Sequence, residues 1–162
     1  MALLVLSVPA CSSDASSGDA SMQERHAAER AEAHGEEEPE LAQYMVRVQR
    51  WSHKTALAIR ARNQPLTDFY LHELEETVAS IQHDVPTYEG YSIGQQTKQM
   101  LVPSLDALDA AVDDADWRAA DARLKAMARA CNQCHSTTDH GFIRVQFDSL
   151  ANPFAQSFEP QE

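Results

Sequence analysis

Basic residues are scarce in this chain. Lys and Arg number 13 against 25 Asp and Glu, a formal net charge of −12 over 162 residues. That balance excludes a polyanionic nucleic-acid partner, which needs a basic face. Glycine and proline are few, at 5 and 7, and no Val/Ile-rich alternating runs stand out, which argues against an all-β fold. Three cysteines are too few for a disulfide scaffold, and an odd count asks a special role of at least one. No spacing supports a Ser-His-Asp arrangement, a phosphate-cradling glycine loop or paired catalytic carboxylates. No repeat signature suggests a solenoid. The length fits a single domain.

What is present begins with an apolar stretch, Met1 to Ala10, broken only by Ser7. It is far short of the ~20 residues of a membrane span but fits the core of a secretory signal peptide, without the usual opening Lys or Arg. Val8-Pro9-Ala10-Cys11 resembles a bacterial lipobox, in which Cys11 would be lipidated; a plain cleaved signal and an unexported chain are the alternatives. Residues 12–40 then hold nine acidic side chains against Arg25 and Arg30, a net charge of −7. Such a stretch cannot bury enough apolar surface to offset its ordering entropy. Residues 11–38 therefore read as an acidic tether, and the folded unit is expected to start near Pro39.

Four amphipathic segments follow. Between Glu40 and Arg62, Leu41, Met45, Val48, Ala56 and Ile59 recur at helical spacing. Asn63 can end this helix and cap the next, with Pro65 tolerated in its first turn. The second helix spans about Gln64 to His83, with Leu66, Tyr70, Leu74, Val78 and Ile81 on one stripe, and Val85-Pro86 stops it. The third lies within Ile93 to Val112, where Pro103 should kink the helix or start it afresh. Asp113, Asp114 and Asp116 offer caps for the fourth, whose Trp117, Ala120, Leu124, Met127, Cys131 and Cys134 step by three and four. That is a bundle seam. Gly141 is the expected C-terminal stop. The fold class is all-α, an antiparallel four-helix bundle over residues 39–142 with a C-terminal tail at 143–162.

Cys131-Asn132-Gln133-Cys134-His135 is C-x-x-C-H, the attachment signature of c-type haem. Thiols at i and i+3 share a helix face and can both reach the vinyl groups on one edge of a porphyrin, while the histidine becomes an axial iron ligand. Other readings fit less well. A thioredoxin-like pair sits at a helix start after a strand, zinc needs a second Cys or His pair, and a disulfide across one helical turn is geometrically poor. Cys131, Cys134 and His135 are thus the expected haem c site, and attachment outside the cytoplasm agrees with an export signal.

A single such motif at the end of the fourth helix of an acidic bundle resembles the cytochrome c-prime type, the class II c-type cytochromes. The resemblance covers roughly Pro39 to Phe142 and is most specific at Ala130 to His135. Asn63-Gln64-Pro65-Leu66-Thr67-Asp68-Phe69, His72 to Glu76 and the tail from Phe142-Ile143 to Pro153-Phe154 are similar to a narrower group of exported bacterial monohaem cytochromes. The tail after the haem helix departs from the usual pattern. The family divides by its other axial position: a methionine on the first helix gives a six-coordinate electron carrier, and an apolar residue leaves iron open to gases. Met45 is the candidate distal ligand that the resemblance implies. The alternatives are His53, on the same stripe through Gln49, and an open site, with Met45 then ordinary core filler.

Met100 and Met127 read as core. His72, His83 and Glu73, Glu75 and Glu76 read as solvated, and His140 as a C-terminal cap. The function expected is one-electron transfer by a periplasmic haem protein, anchored if Cys11 is lipidated. The alternative is a five-coordinate haem that binds nitric oxide or carbon monoxide. Without a distal Arg/His pair no peroxidase-like enzyme is expected. The partners expected are redox proteins with a basic docking patch; a homodimer is the other association.

Overall fold

The computed structural model describes residues 40–161; the signal segment, the lipidation site at Cys11 and the acidic tether lie outside the described residues. Within them the chain is all-helical, with α1 Leu41–Ala61, α2 Gln64–Asp84, α3 Ile93–Met100, α4 Val102–Asp113 and α5 Trp117–Thr137. Packing closes a ring. α1 lies against α2 and α5, α2 against α3 and α4, and α5 against α3 and α4, while α1 and α4, and α2 and α5, lie across the core from one another. Neighbours joined by short links run in opposite directions, so the ring is an up-down-up-down bundle with α3 and α4 sharing one corner.

Local chemistry accounts for most of the boundaries. Asn63 caps α2 through Oδ1, which accepts the Leu66 N–H at 3.3 Å, and Pro65 sits in the first turn. The stop of α1 falls one residue earlier than expected, on Arg62 in the left-handed region at φ 54. Pro103 gives a fresh start, not a kink, because α3 ends at Met100 and the proline opens α4, where its missing N–H is not needed. Of the three aspartates only Asp116 caps α5, accepting the Ala119 N–H at 2.9 Å; Asp113 and Asp114 end α4 instead. Gly141 is not the stop of α5. The Thr138 hydroxyl donates to the carbonyls of Cys134 and His135, and the left-handed residue is Asp139 at φ 60, whose short polar side chain tolerates that conformation.

The main core joins Ala56 and Ile59 of α1, Leu71, Leu74 and Val78 of α2, Leu105, Leu108 and Val112 of α4, and Ala120, Leu124 and Met127 of α5. Met100 stays half-buried. Gly94 is demanded by close packing of α3 on the end of α2. A Cβ there would meet the Gln82 carbonyl oxygen at 2.9 Å and the Pro86 Cα at 3.3 Å, both backbone atoms. Gly94→Ala should therefore cost about 1–3 kcal/mol, seen as a lower urea midpoint at unchanged slope.

One face between α2 and α4 is strongly acidic. Burial first, and then neighbouring carboxylates, push Asp68, Glu75 and Asp109 above the usual carboxylate range. Glu73 and Glu75 are half-buried rather than freely solvated, and of the three glutamates only Glu76 is exposed. These groups have folded-state pKa values above their unfolded ones, so their charge opposes folding at neutral pH. The cost disappears as pH falls through the raised values. Asp109→Asn should stabilise the protein by about a few tenths of a kcal/mol at neutral pH. Calorimetry should show that gain shrinking as the pH is lowered through the carboxylate range.

Candidate functional site

Cys131 and Cys134 lie one helical turn apart near the end of α5. Cys131 packs against the main core, while Cys134 faces α3, its Sγ 3.9 Å from Oε1 of Gln96. The same oxygen accepts the Thr137 hydroxyl at 3.0 Å. Both cysteines are free thiols. Burial, then the nearby Cys134, push Cys131 up to about 11, and burial raises Cys134 as well. Neither is a thiolate at neutral pH, which counts against a redox-exchange pair.

His135 is held from outside its own helix. Its Nδ1 meets the carbonyl oxygen of Ile143 at 3.1 Å. A carbonyl can only accept, so this bond places the ring proton on Nδ1 and leaves the Nε2 lone pair free for a metal. Nε2 has no hydrogen-bond partner among the described residues. Phe142, 80% exposed, and Ile143, 46% exposed, put apolar surface beside the motif.

The Ile143 carbonyl belongs to a strap, residues 143–161, that is fastened along the bundle. Asn132 grips Val145 twice, Nδ2 donating to its carbonyl at 2.9 Å and Oδ1 accepting its N–H at 2.7 Å. The Arg60 guanidinium donates to the Phe147 carbonyl. Asn63 Nδ2 donates to the Phe158 carbonyl at 3.0 Å, and Lys54 and Tyr70 both donate to Gln156. Phe147 and Phe158 are buried. The expected tail is thus part of the folded unit.

His53 is claimed by the same strap. Its Nε2 lies 2.9 Å from the Ala151 carbonyl oxygen and its ring meets Phe154 edge-on at 5.2 Å. Met45 is partly buried against Tyr44, Ile81, Val85 and Ile93, in a cluster that Tyr91 also joins. Tyr91 donates to Asp139 at 2.5 Å, just past α5, and Ile93 opens the helix whose Gln96 meets Cys134. Met45 therefore sits at the same end of the bundle as the C-x-x-C-H motif. His72 is exposed, His83 is exposed and paired with Asp84 at 2.7 Å, and His140 bonds the Thr138 carbonyl at the end of α5.

A surface hollow lined by Ile59, Arg60, Arg62, Trp117, Arg118 and Asp121 lies at the opposite end, where α1 stops and α5 starts. Among the described residues no three His, Cys, Asp or Glu side chains converge to hold a single ion. Gln96, Asn132 and the Ile143 carbonyl were not anticipated from spacing, since each acts through a contact with a distant segment. Asn132 alone carried a hint, as a polar residue inside the motif. Comparison with protein-family models, curated proteins and solved structures found no match.

Proposed function

We propose that this chain is an exported c-type cytochrome of the cytochrome c-prime type that carries single electrons. One haem would be held through thioethers from Cys131 and Cys134, with His135 as the proximal iron ligand and Met45 as the distal one. The observation that carries the reading is the C-x-x-C-H motif at the end of a bundle helix, with the proton of His135 fixed on Nδ1 and Nε2 left as a donor. The donor set suits the group: two thiols one turn apart, one imidazole with its second nitrogen engaged, and a thioether at the same end of the bundle.

When bound, the haem supplies a one-electron iron couple. The chain's own residues do the rest. His135 would donate its Nε2 lone pair in both oxidation states, and the Met45 thioether would favour the ferrous one. An unchanged ligand set keeps reorganisation small during transfer. Phe142 and Ile143 offer apolar cover at the motif, and the excess of carboxylates would steer a basic redox partner. Export to the periplasm, with a lipid anchor at Cys11, belongs to the same proposal.

The test is optical spectroscopy with a redox titration of protein made alongside a c-type maturation system. Low-spin six-coordinate iron in both states, with a one-electron Nernst slope, is expected. High-spin iron that takes carbon monoxide rapidly would overturn the carrier reading in favour of gas binding.

A further inference from the structure

We infer that Asn132, together with the strap it holds, is a positioning residue for His135: it fixes the imidazole tautomer before any metal is present. The inference rests on the proposed function for its purpose, but its geometry stands without it. The free imidazole of a histidine has two neutral forms, and which nitrogen carries the proton is decided by the bond the ring makes. Here the deciding acceptor is the Ile143 carbonyl at 3.1 Å. The Ile143 N–H is tied back to the His140 carbonyl at 2.9 Å, but past it the chain has no helix or strand of its own, so the direction of the Ile143 carbonyl depends on how side chains hold the residues that follow.

The nearest such hold is Asn132. Its amide makes both hydrogen bonds to the backbone of Val145, two residues past the acceptor, at 2.9 and 2.7 Å. Asn132 also sits three residues before His135 on the same helix, which puts clamp and imidazole on one side of α5. Both donor and acceptor of the side-chain amide are used, so neither a carboxylate nor an aliphatic residue of that size could replace it. The more distant fastenings, Arg60 to Phe147 and the burial of Phe147, keep the strap on the bundle farther from residue 143.

The readout is the ring nitrogen chemical shifts of His135, measured by NMR on full-length protein labelled at histidine, made without haem and held above the imidazole pKa. Wild type should show the Nδ1–H form in excess. Asn132→Leu should return His135 to the mixture of a free imidazole, and so should Val145→Pro, which removes the donated N–H without touching α5. Gln133→Ala, an exposed neighbour inside the motif, should change nothing. In haem-loaded Asn132→Leu the weaker Nδ1–H bond makes His135 a poorer donor to ferric iron. Reduction should then become about tenfold more favourable, a rise of about 59 mV for one electron.

Wild type in the Nε2–H form would overturn the inference, as would an Nδ1–H form that survives in the variants. Should Asn132→Leu fail to fold, Val145→Pro decides alone. Loss of the haem reading would leave the tautomer result unchanged, so the two failures are distinguishable.

Discussion

His135→Ala should leave a haem that cannot be washed out but has lost its proximal ligand. In the proposed reading attachment depends on the two thiols, which face the core and α3, and not on the imidazole. The low-spin spectrum should disappear, carbon monoxide should bind the ferrous protein readily, and added imidazole should restore much of the wild-type spectrum. Folding stability should fall modestly, by about 0.5–1.5 kcal/mol for the lost bond to the Ile143 carbonyl. A His135→Ala protein with an unchanged spectrum would assign the proximal ligand elsewhere.

Met45→Ala tests the proposed distal ligand. Loss of the thioether should remove the long-wavelength ferric band typical of such ligation. The potential should fall by on the order of 0.1 V, a fraction of the roughly 0.8 V that axial ligands command. Carbon monoxide should gain access to the ferrous protein. Met45 is only partly buried, at the edge of the cluster of Tyr44, Ile81, Val85 and Ile93, so truncation should cost no more than about 1–2 kcal/mol of stability. His53 is a poor substitute because its Nε2 is already bonded to the strap. If Met45→Ala has no spectroscopic effect, methionine is core filler and the open-site reading gains.

The helices were legible because their apolar residues repeat at three and four steps over 21-residue stretches. The Asn63 cap and the Pro103 break were legible because each acts within a turn of its own position. The ends of α1 and α5 were less so. Arg62 and Asp139 adopt left-handed conformations that their side chains do not announce, and Gly141, which could have, is not used. The tail was marked out as a segment, but the way it is fastened to the bundle was not legible. Its residues show no periodicity, and its hold comes from single contacts reaching back between about 13 and 102 positions, from Asn132 to Val145 and from Lys54 to Gln156. The same reason hid the partner of His135: the C-x-x-C-H motif singles out the histidine, but the carbonyl that its ring meets comes from a segment with no periodicity.

Covalent attachment is the claim on which the rest depends, and it can be measured directly. Wild-type chain made with a c-type maturation system should be run on a denaturing gel, stained for haem, and extracted in acid acetone before a reduced pyridine haemochrome spectrum is taken. Cys131→Ala/Cys134→Ala is the comparison. Colour that migrates with the wild-type polypeptide, survives extraction and is absent from the double variant is the predicted result. Colour that extracts from the wild type, or that stays with the double variant, would contradict the account.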